Sequence, residues 1–273
     1  MPGLTQRILY IHPDINTLIS SEKSCVIAFE KANAVVVLNA NQSILKLMTF
    51  DTDNVPFAAL SKCDFLPVYE AASGAEKVTV VCASEKETLI PDNLFDESML
   101  ASYINFNYGQ LNGEMVLYDK IEGAGITQVY ALPQHLYAYV KEAFPQAALR
   151  NRKSIMIELC RNLNEKSKSG FVFVKEGQFD ICVFAYKKLL LCNTFSYPSA
   201  QDFIYYLMHT LKQLNCDPDT MPLYLYGTIE EESAVYSYII KYIRHVSFLK
   251  KPENIILGAT EVPYHYYYDL FTV

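Results

Sequence analysis

No uncharged run in this sequence reaches 20 residues, so no helical stretch of it is built to span a bilayer. A secretory signal is missing too: after Arg7 the apolar run Ile8-Leu9-Tyr10-Ile11 ends too soon for a signal core. There is no basic excess. Lys and Arg total 23 against 30 Asp and Glu, a net charge of −7, and phosphate recognition needs the reverse, concentrated Lys and Arg. No C-x-x-C pair occurs among the seven cysteines, and the histidines His12, His135, His209, His245 and His265 lack ligand spacing. G-x-S-x-G and G-x-x-x-x-G-K motifs are also missing. Together these absences argue against nucleic acid, direct membrane insertion, a zinc site, a serine hydrolase and a P-loop. They favour a cytoplasmic chain with reduced thiols.

What is present is 51% hydrophobic and 13% aromatic, enough for a sizeable core in 273 residues. The chain is organised around Phe171–Tyr226. Phe171-Val172-Phe173-Val174 leads into a turn at Lys175-Glu176-Gly177-Gln178, and Phe179 to Phe184 leads out. Leu189 to Cys192 reads as a third strand, and Leu223-Tyr224-Leu225-Tyr226 as a fourth after a helix. That helix starts at a capping-box-like Ser199-x-x-Asp202 and shows Phe203, Leu207, Leu211 and Leu214 on one face. Thr228-x-x-Glu231 predicts the opening of a further helix carrying Val235, Ile239 and Ile243, before a strand from Val246 to Leu249.

The first half repeats this order. Cys25 to Phe29, a turn at Lys31-Ala32-Asn33, Ala34 to Leu38, Ile44 to Phe50 and Lys77 to Cys82 supply the strands. Asn54-Val55-Pro56 predicts a helix with Phe57 and Leu60 between the third and fourth. Thr49-Phe50 stands where Thr194-Phe195 stands, 194 − 49 = 145 positions on. A steady offset with matching element order points to internal duplication. Before Ser24 no element is assigned.

An interposed segment, about 84–127, separates the two repeats. It holds a helix from Asp96 to Phe106, a turn from Gly109 to Gly113 and a strand from Met115 to Tyr118. A helix with Leu136, Val140 and Phe144, a strand near Ala147 to Leu149, and a helix with Ile155, Leu159 and Leu163 complete the first half. Asn164 to Ser169 reads as the linker, giving halves 1–165 and 166–273. Arg150, Arg152 and Lys153 read as a solvated helix start, and the aromatic tail Tyr264 to Tyr268 as packing.

A hairpin, third strand, helix and fourth strand, present twice, resembles the ribonuclease H-like unit duplicated in actin-type ATPases. FVFVKEGQFDICVFAYKKLLLCNTFSY is similar to the second-half opening of bacterial actin-like proteins of pilus assembly and cell division. KVTVVCASEKETLIPDNLFDE and DFIYYLMHTLKQL resemble the bacterial domain-of-unknown-function family 3822 over nearly the whole chain. The resemblance implies an α/β duplicated ribonuclease H-like (actin-like ATPase) fold, two βββαβ-type halves with a cleft between.

It also implies where phosphate would sit. The family cradles phosphate between two glycine-rich hairpins, because only glycine lets backbone N–H groups approach the anion closely. Here the first turn, Glu30-Lys31-Ala32-Asn33, has no glycine. In the second, Lys175 or Glu176 stands at the family's aspartate, only Gly177 remains, and Asp180 matches the aspartate opening the next strand. The nucleoside-contacting glycines are reduced to Tyr226-Gly227-Thr228. The candidate positions are therefore Glu30, Lys31, Asn33, Lys175, Glu176, Gly177, Asp180 and Gly227, with no catalytic residue and no metal ligand assigned.

The expectation is a pseudo-ATPase of the bacterial cytosol without a cofactor, serving protein–protein interaction or assembly with an unidentified protein or with further copies of itself. The alternative is a weak ATPase binding ATP with Mg through Lys175, Gly177, Asp180 and Gly227. Less favoured is a ribonuclease H-like hydrolase using Glu30, Glu176 and Asp180, for which Val172-Phe173-Val174 lacks the mid-strand acid.

Overall fold

The structure, a computed structural model, describes residues 5–15, 23–29, 33–39, 43–51, 66–164, 167–253, 255 and 263–273. The helix expected around Phe57 and Leu60 lies outside these residues. The chain groups into two compact units, Met1–Ile155 with Glu253–Glu261 and Val273, and Met156–Pro252 with Val262–Thr272.

The first unit contains β1 (Thr5–Ile11), β2 (Lys23–Phe29), β3 (Asn33–Asn39), β4 (Ile44–Asp51) and β5 (Lys77–Cys82). It continues with β6 (Lys86–Pro91), β7 (Glu114–Ile121), β8 (Ile126–Pro133) and β9 (Ala148–Asn151). Its main sheet has the order β1-β4-β3-β2-β5-β9, antiparallel from β1 to β2 and parallel from β2 through β5 to β9. In β2, Cys25, Val26, Ile27, Ala28 and Phe29 are all buried. A central strand covered on both faces reads as a continuous apolar run rather than an alternating one. Helices α1 (Leu66–Ala72), through Val68 and Ala71, and α3 (Gln134–Ala143), through Val140, join Phe144 in the same core as Cys25, Ile27, Val35 and Val37. Between them in sequence comes α2 (Leu100–Tyr108).

The interposed segment is a separate three-stranded antiparallel sheet, order β6-β8-β7, with α2 packed on it through Ile104 against Val129 and Ala131. It runs on to Pro133, past the expected end near 127, because β8 is its middle strand and needs both neighbours.

The second unit holds most of α4 (Arg152–Leu163), then β10 (Lys168–Lys175), β11 (Gln178–Ala185), β12 (Lys188–Ser196), β13 (Leu223–Gly227) and β14 (Val246–Phe248). The sheet order is β12-β11-β10-β13-β14. Helices α5 (Ala200–Gln213) and α6 (Ala234–Tyr242) bring Phe203, Leu207, Leu211 and Ile239 onto Val172, Val174, Phe179, Ile181 and Val183. Ser199 caps α5 by accepting from the Asp202 amide, as the sequence implies. Two short three-ten turns within Tyr264–Thr272, separated by a kink at Tyr267, follow and bury Tyr268, Leu270 and Phe271.

Apart from β1, the two main sheets have one topology: three antiparallel strands, then two parallel to the first. The registers agree as well. Ser24 pairs with Lys77 and Gly170 with Leu223, and both 170 − 24 and 223 − 77 equal 146. The register slips between Val37 and Leu38 in the β3–β4 ladder and between Val183 and Phe184 in the β11–β12 ladder, again 183 − 37 = 146 apart. This is a duplicated ribonuclease H-like α/β fold.

Four local expectations change. Thr5–Ile11 forms an edge strand where no element was assigned. The supposed linker is structured at both ends: Asn164 is buried with its Nδ2 donating to the Tyr186 carbonyl, and β10 begins at Lys168. α6 starts at Ala234, capped by the Ser233 hydroxyl, and Thr228 serves elsewhere. Arg152 and Lys153 are not a solvated face; Arg152 is buried and Lys153 pairs with Glu87.

Candidate functional site

In the second unit the β10–β11 hairpin closes with Lys175 opposite Gln178, so Glu176 and Gly177 form the turn. Gly177 has φ +70° and open space around it, the left-handed residue that a tight turn requires. Glu176 is exposed in the turn. Asp180 points inward and is buried. Its Oδ2 lies 2.9 Å from the Lys175 ammonium, and its Oδ1 accepts from the Thr194 hydroxyl. Register explains the second contact, since Asp180 pairs directly with Thr194 across β11 and β12. The ammonium also lies 5.2 Å from the centroid of the Phe173 ring. Tyr197 fastens the turn from outside: its hydroxyl donates to the Lys175 carbonyl at 2.8 Å and its amide to the Gly177 carbonyl at 2.9 Å.

Gly227, at the end of β13, has φ +92°. A Cβ there would stand 2.2 Å from the Val174 carbonyl oxygen and 2.7 Å from the Phe173 ring, so β10 is pressed against it. That carbonyl accepts from the Thr228 amide at 2.8 Å. Phe173 stacks on Tyr226 at 4.9 Å, and Tyr268 meets Tyr226 edge-on at 6.4 Å. Tyr226 is fully buried, its hydroxyl has no hydrogen bond, and burial pushes its ionisation well above the usual value.

The tail completes the surroundings. His265 Nε2 sits 2.9 Å from the Ile229 carbonyl, and its ring lies 4.3 Å from Phe248. Tyr266 donates to Glu230. Burial lowers the His265 pKa, opposed by the Ile229 carbonyl and by the charges of Glu230 and Glu231.

The structure thus brings Lys175, Asp180 and Thr194 together and packs Gly227 against Val174. Lys175 is engaged rather than a loose turn residue, and Asp180 is not a solvated carboxylate. Glu30 and Lys31 lie outside the described residues, and of Asn33 only its place at the start of β3 is described. Among the described residues no group of His, Cys, Asp or Glu is arranged to hold a metal ion. The six described cysteines are free thiols.

Sequence reasoning missed a second polar cluster, in the first unit. The Asn151 amide donates to Asp119 Oδ2 at 2.7 Å, and its side-chain Nδ2 donates to Glu87 Oε2 at 2.9 Å. Asn151 Oδ1 accepts from the Lys153 amide at 2.7 Å, capping α4. Glu87 also accepts from Gln128 and pairs with Lys153, while Arg150 lies 3.4 Å from Asp119. The contacts join residues tens of positions apart, and no local spacing announces them. Within the first unit the cluster fastens the interposed sheet to β9 and to Lys153; its carboxylates are spent on that.

The fold is the actin-like ATPase fold, and its second hairpin carries a lysine–aspartate pair. The chain belongs to the family described as protein of unknown function (DUF3822), whose profile matches residues 36–246. It is similar to a Bacteroides thetaiotaomicron protein with actin-like ATPase fold and unknown function, at 21% identity and TM-score 0.73 over 87% of this chain and 94% of that one. It is also similar to a chain of the PilM–PilN type IV pilus biogenesis complex, at 12% identity and TM-score 0.56 over 87% and 90%. No curated protein matches the sequence.

Proposed function

We propose that this protein is a non-catalytic member of the actin-like fold, an interaction or assembly module of the bacterial cytosol with a protein partner and no nucleotide cofactor. The observation that carries this reading is the closed state of the second hairpin. Lys175 or Glu176 stands where the resemblance expects the first-strand acid that positions Mg, and the Lys175 ammonium neutralises Asp180, the aspartate matched to the opening of the next strand. Tyr197 occupies two turn carbonyls, and the Val174 carbonyl meets Gly227. The missing glycines of residues 30–33 point the same way. That a chain of similar fold occurs in the PilM–PilN complex supports a protein partner.

A melting experiment tests this. A ligand at about 100 times its Kd stabilises by about 2.7 kcal/mol. Millimolar Mg–ATP is expected to leave the melting temperature where it is. A rise of several degrees, abolished by Asp180→Asn, would show a working nucleotide site and overturn the proposal.

A further inference from the structure

Phe106 is 90% exposed, although it lies in a well-formed helix of an aromatic-rich chain. In α2 the inward positions are Leu100, Tyr103 and Ile104, which pack on Val116, Val129 and Ala131. Phe106, with Ser102 one turn before it, lies on an adjoining side, and Met99 stands just ahead of the helix at the end of the preceding three-ten turn. Met99 is 46% exposed, and Leu94, in the preceding turn, is 66% exposed. The Tyr103 hydroxyl donates to the Leu94 carbonyl at 2.7 Å, which holds that turn beside the helix. Phe106 on α2, with Leu94 and Met99 in the turns before it, thus leaves three large apolar side chains outward beside the buried face, and such side chains mark interaction surfaces.

The charge around the patch is one-sided. Residues 87–113 hold Glu87, Asp92, Asp96 and Glu97 and no lysine or arginine. Glu87 is taken by Lys153, but the other three are exposed and fixed in place. Asp92 accepts from Thr127, Asp96 from the amide and hydroxyl of Ser98, and Glu97 from Tyr118. Those bonds from Ser98 hold the Asp96 carboxyl below its usual value, so it keeps its charge in mild acid. The flanking lysines are engaged, Lys86 by Glu114 and Lys120 over the Phe95 ring.

We infer that the outward side of α2 and of the two turns before it, with Leu94, Met99 and Phe106 as anchors and Asp92, Asp96 and Glu97 as rim, docks a basic amphipathic helix of a partner protein. Apolar anchors supply the affinity and the rim selects a lysine- or arginine-flanked sequence. A second copy of this chain fits less well, because the same patch would oppose its own carboxylates. The inference gives the interaction module a surface, and it stands on the interposed sheet whether or not the second unit binds nucleotide.

The probe is a pair of 18-residue amphipathic helical peptides with one apolar face in common and polar faces of lysine or of glutamate. Binding to the full chain is followed by fluorescence anisotropy at low and high salt, with and without Mg–ATP. The lysine peptide is expected to bind, more weakly at high salt, and Phe106→Ser to weaken it at least tenfold. Asp96→Asn with Glu97→Gln is expected to weaken it several-fold and flatten the salt dependence. An unchanged melting temperature verifies that the Phe106→Ser chain is folded. Equal binding of the two peptides, or indifference to Phe106→Ser, would overturn the inference. So would a wild-type dimer in sedimentation that Phe106→Ser dissolves, which would assign the face to self-association.

Discussion

Gly177 and Gly227 both have positive φ, but they answer to different neighbours. Around Gly177 nothing lies within 4 Å of a new Cβ, so Gly177→Ala pays only the left-handed penalty of about 1 kcal/mol. Gly227→Ala adds a collision with the Val174 carbonyl, and roughly 3 kcal/mol or more is expected. Urea unfolding of the two variants checks the contrast; equal losses would mean that β10 can retreat from β13. The Lys175–Asp180 pair makes a second test at this scale. Lys175→Met leaves a buried carboxylate that still accepts from Thr194 but has lost its cation, and should cost about 3 kcal/mol, whereas Lys175→Met with Asp180→Leu should cost less. A double variant as unstable as the single one would show that packing, not charge, sets the loss.

At the scale of elements, the tail turn and the strands differ in how well the sequence announces them. Cys25 to Phe29 and Phe171 to Val174 stand out because strands buried on both faces are unbroken apolar runs. β1 does not, because as an edge strand it mixes exposed Ile8 and Ile11 with buried Tyr10. Of the candidate site, Lys175, Gly177, Asp180 and Gly227 were legible as motif positions. The closing contacts were not, since Thr194, Tyr197 and the Val174 carbonyl reach them only through strand register. The Asn151 cluster was hidden for the same reason, and polar Asn164 passed for linker because its partner, the Tyr186 carbonyl, is remote in sequence.

His265 gives the tail a pH dependence. Its folded pKa lies below the ordinary 6.5, so the unfolded chain takes up a proton near that pH that the folded chain refuses. Stability is therefore held above about pH 6.5 and lost as the pH falls through it. The stability difference between about pH 8 and pH 5.5 is expected to shrink in His265→Gln, and amide protection across Tyr264–Thr272, corrected for the intrinsic exchange rate, to fall in acid in the parent only. Protection that ignores pH would remove His265 from that role.

For the whole molecule, two compact units with separate cores predict unfolding that is not a single two-state event. Leu207→Ala, in the second core, should cost about 3 kcal/mol. In calorimetry it is expected to lower one transition and spare the other; one transition moving as a whole would show that the units melt together.

The ladder slip that recurs 146 residues apart has a historical meaning. An irregularity that forfeits pairing is inherited by copying more readily than invented twice at one address. The ancestral gene thus already encoded the kink when it was a single lobe. The side chains drifted afterwards: Ala34 now faces Thr49 where Asp180 faces Thr194, so one descendant lobe carries the acid and its sibling does not.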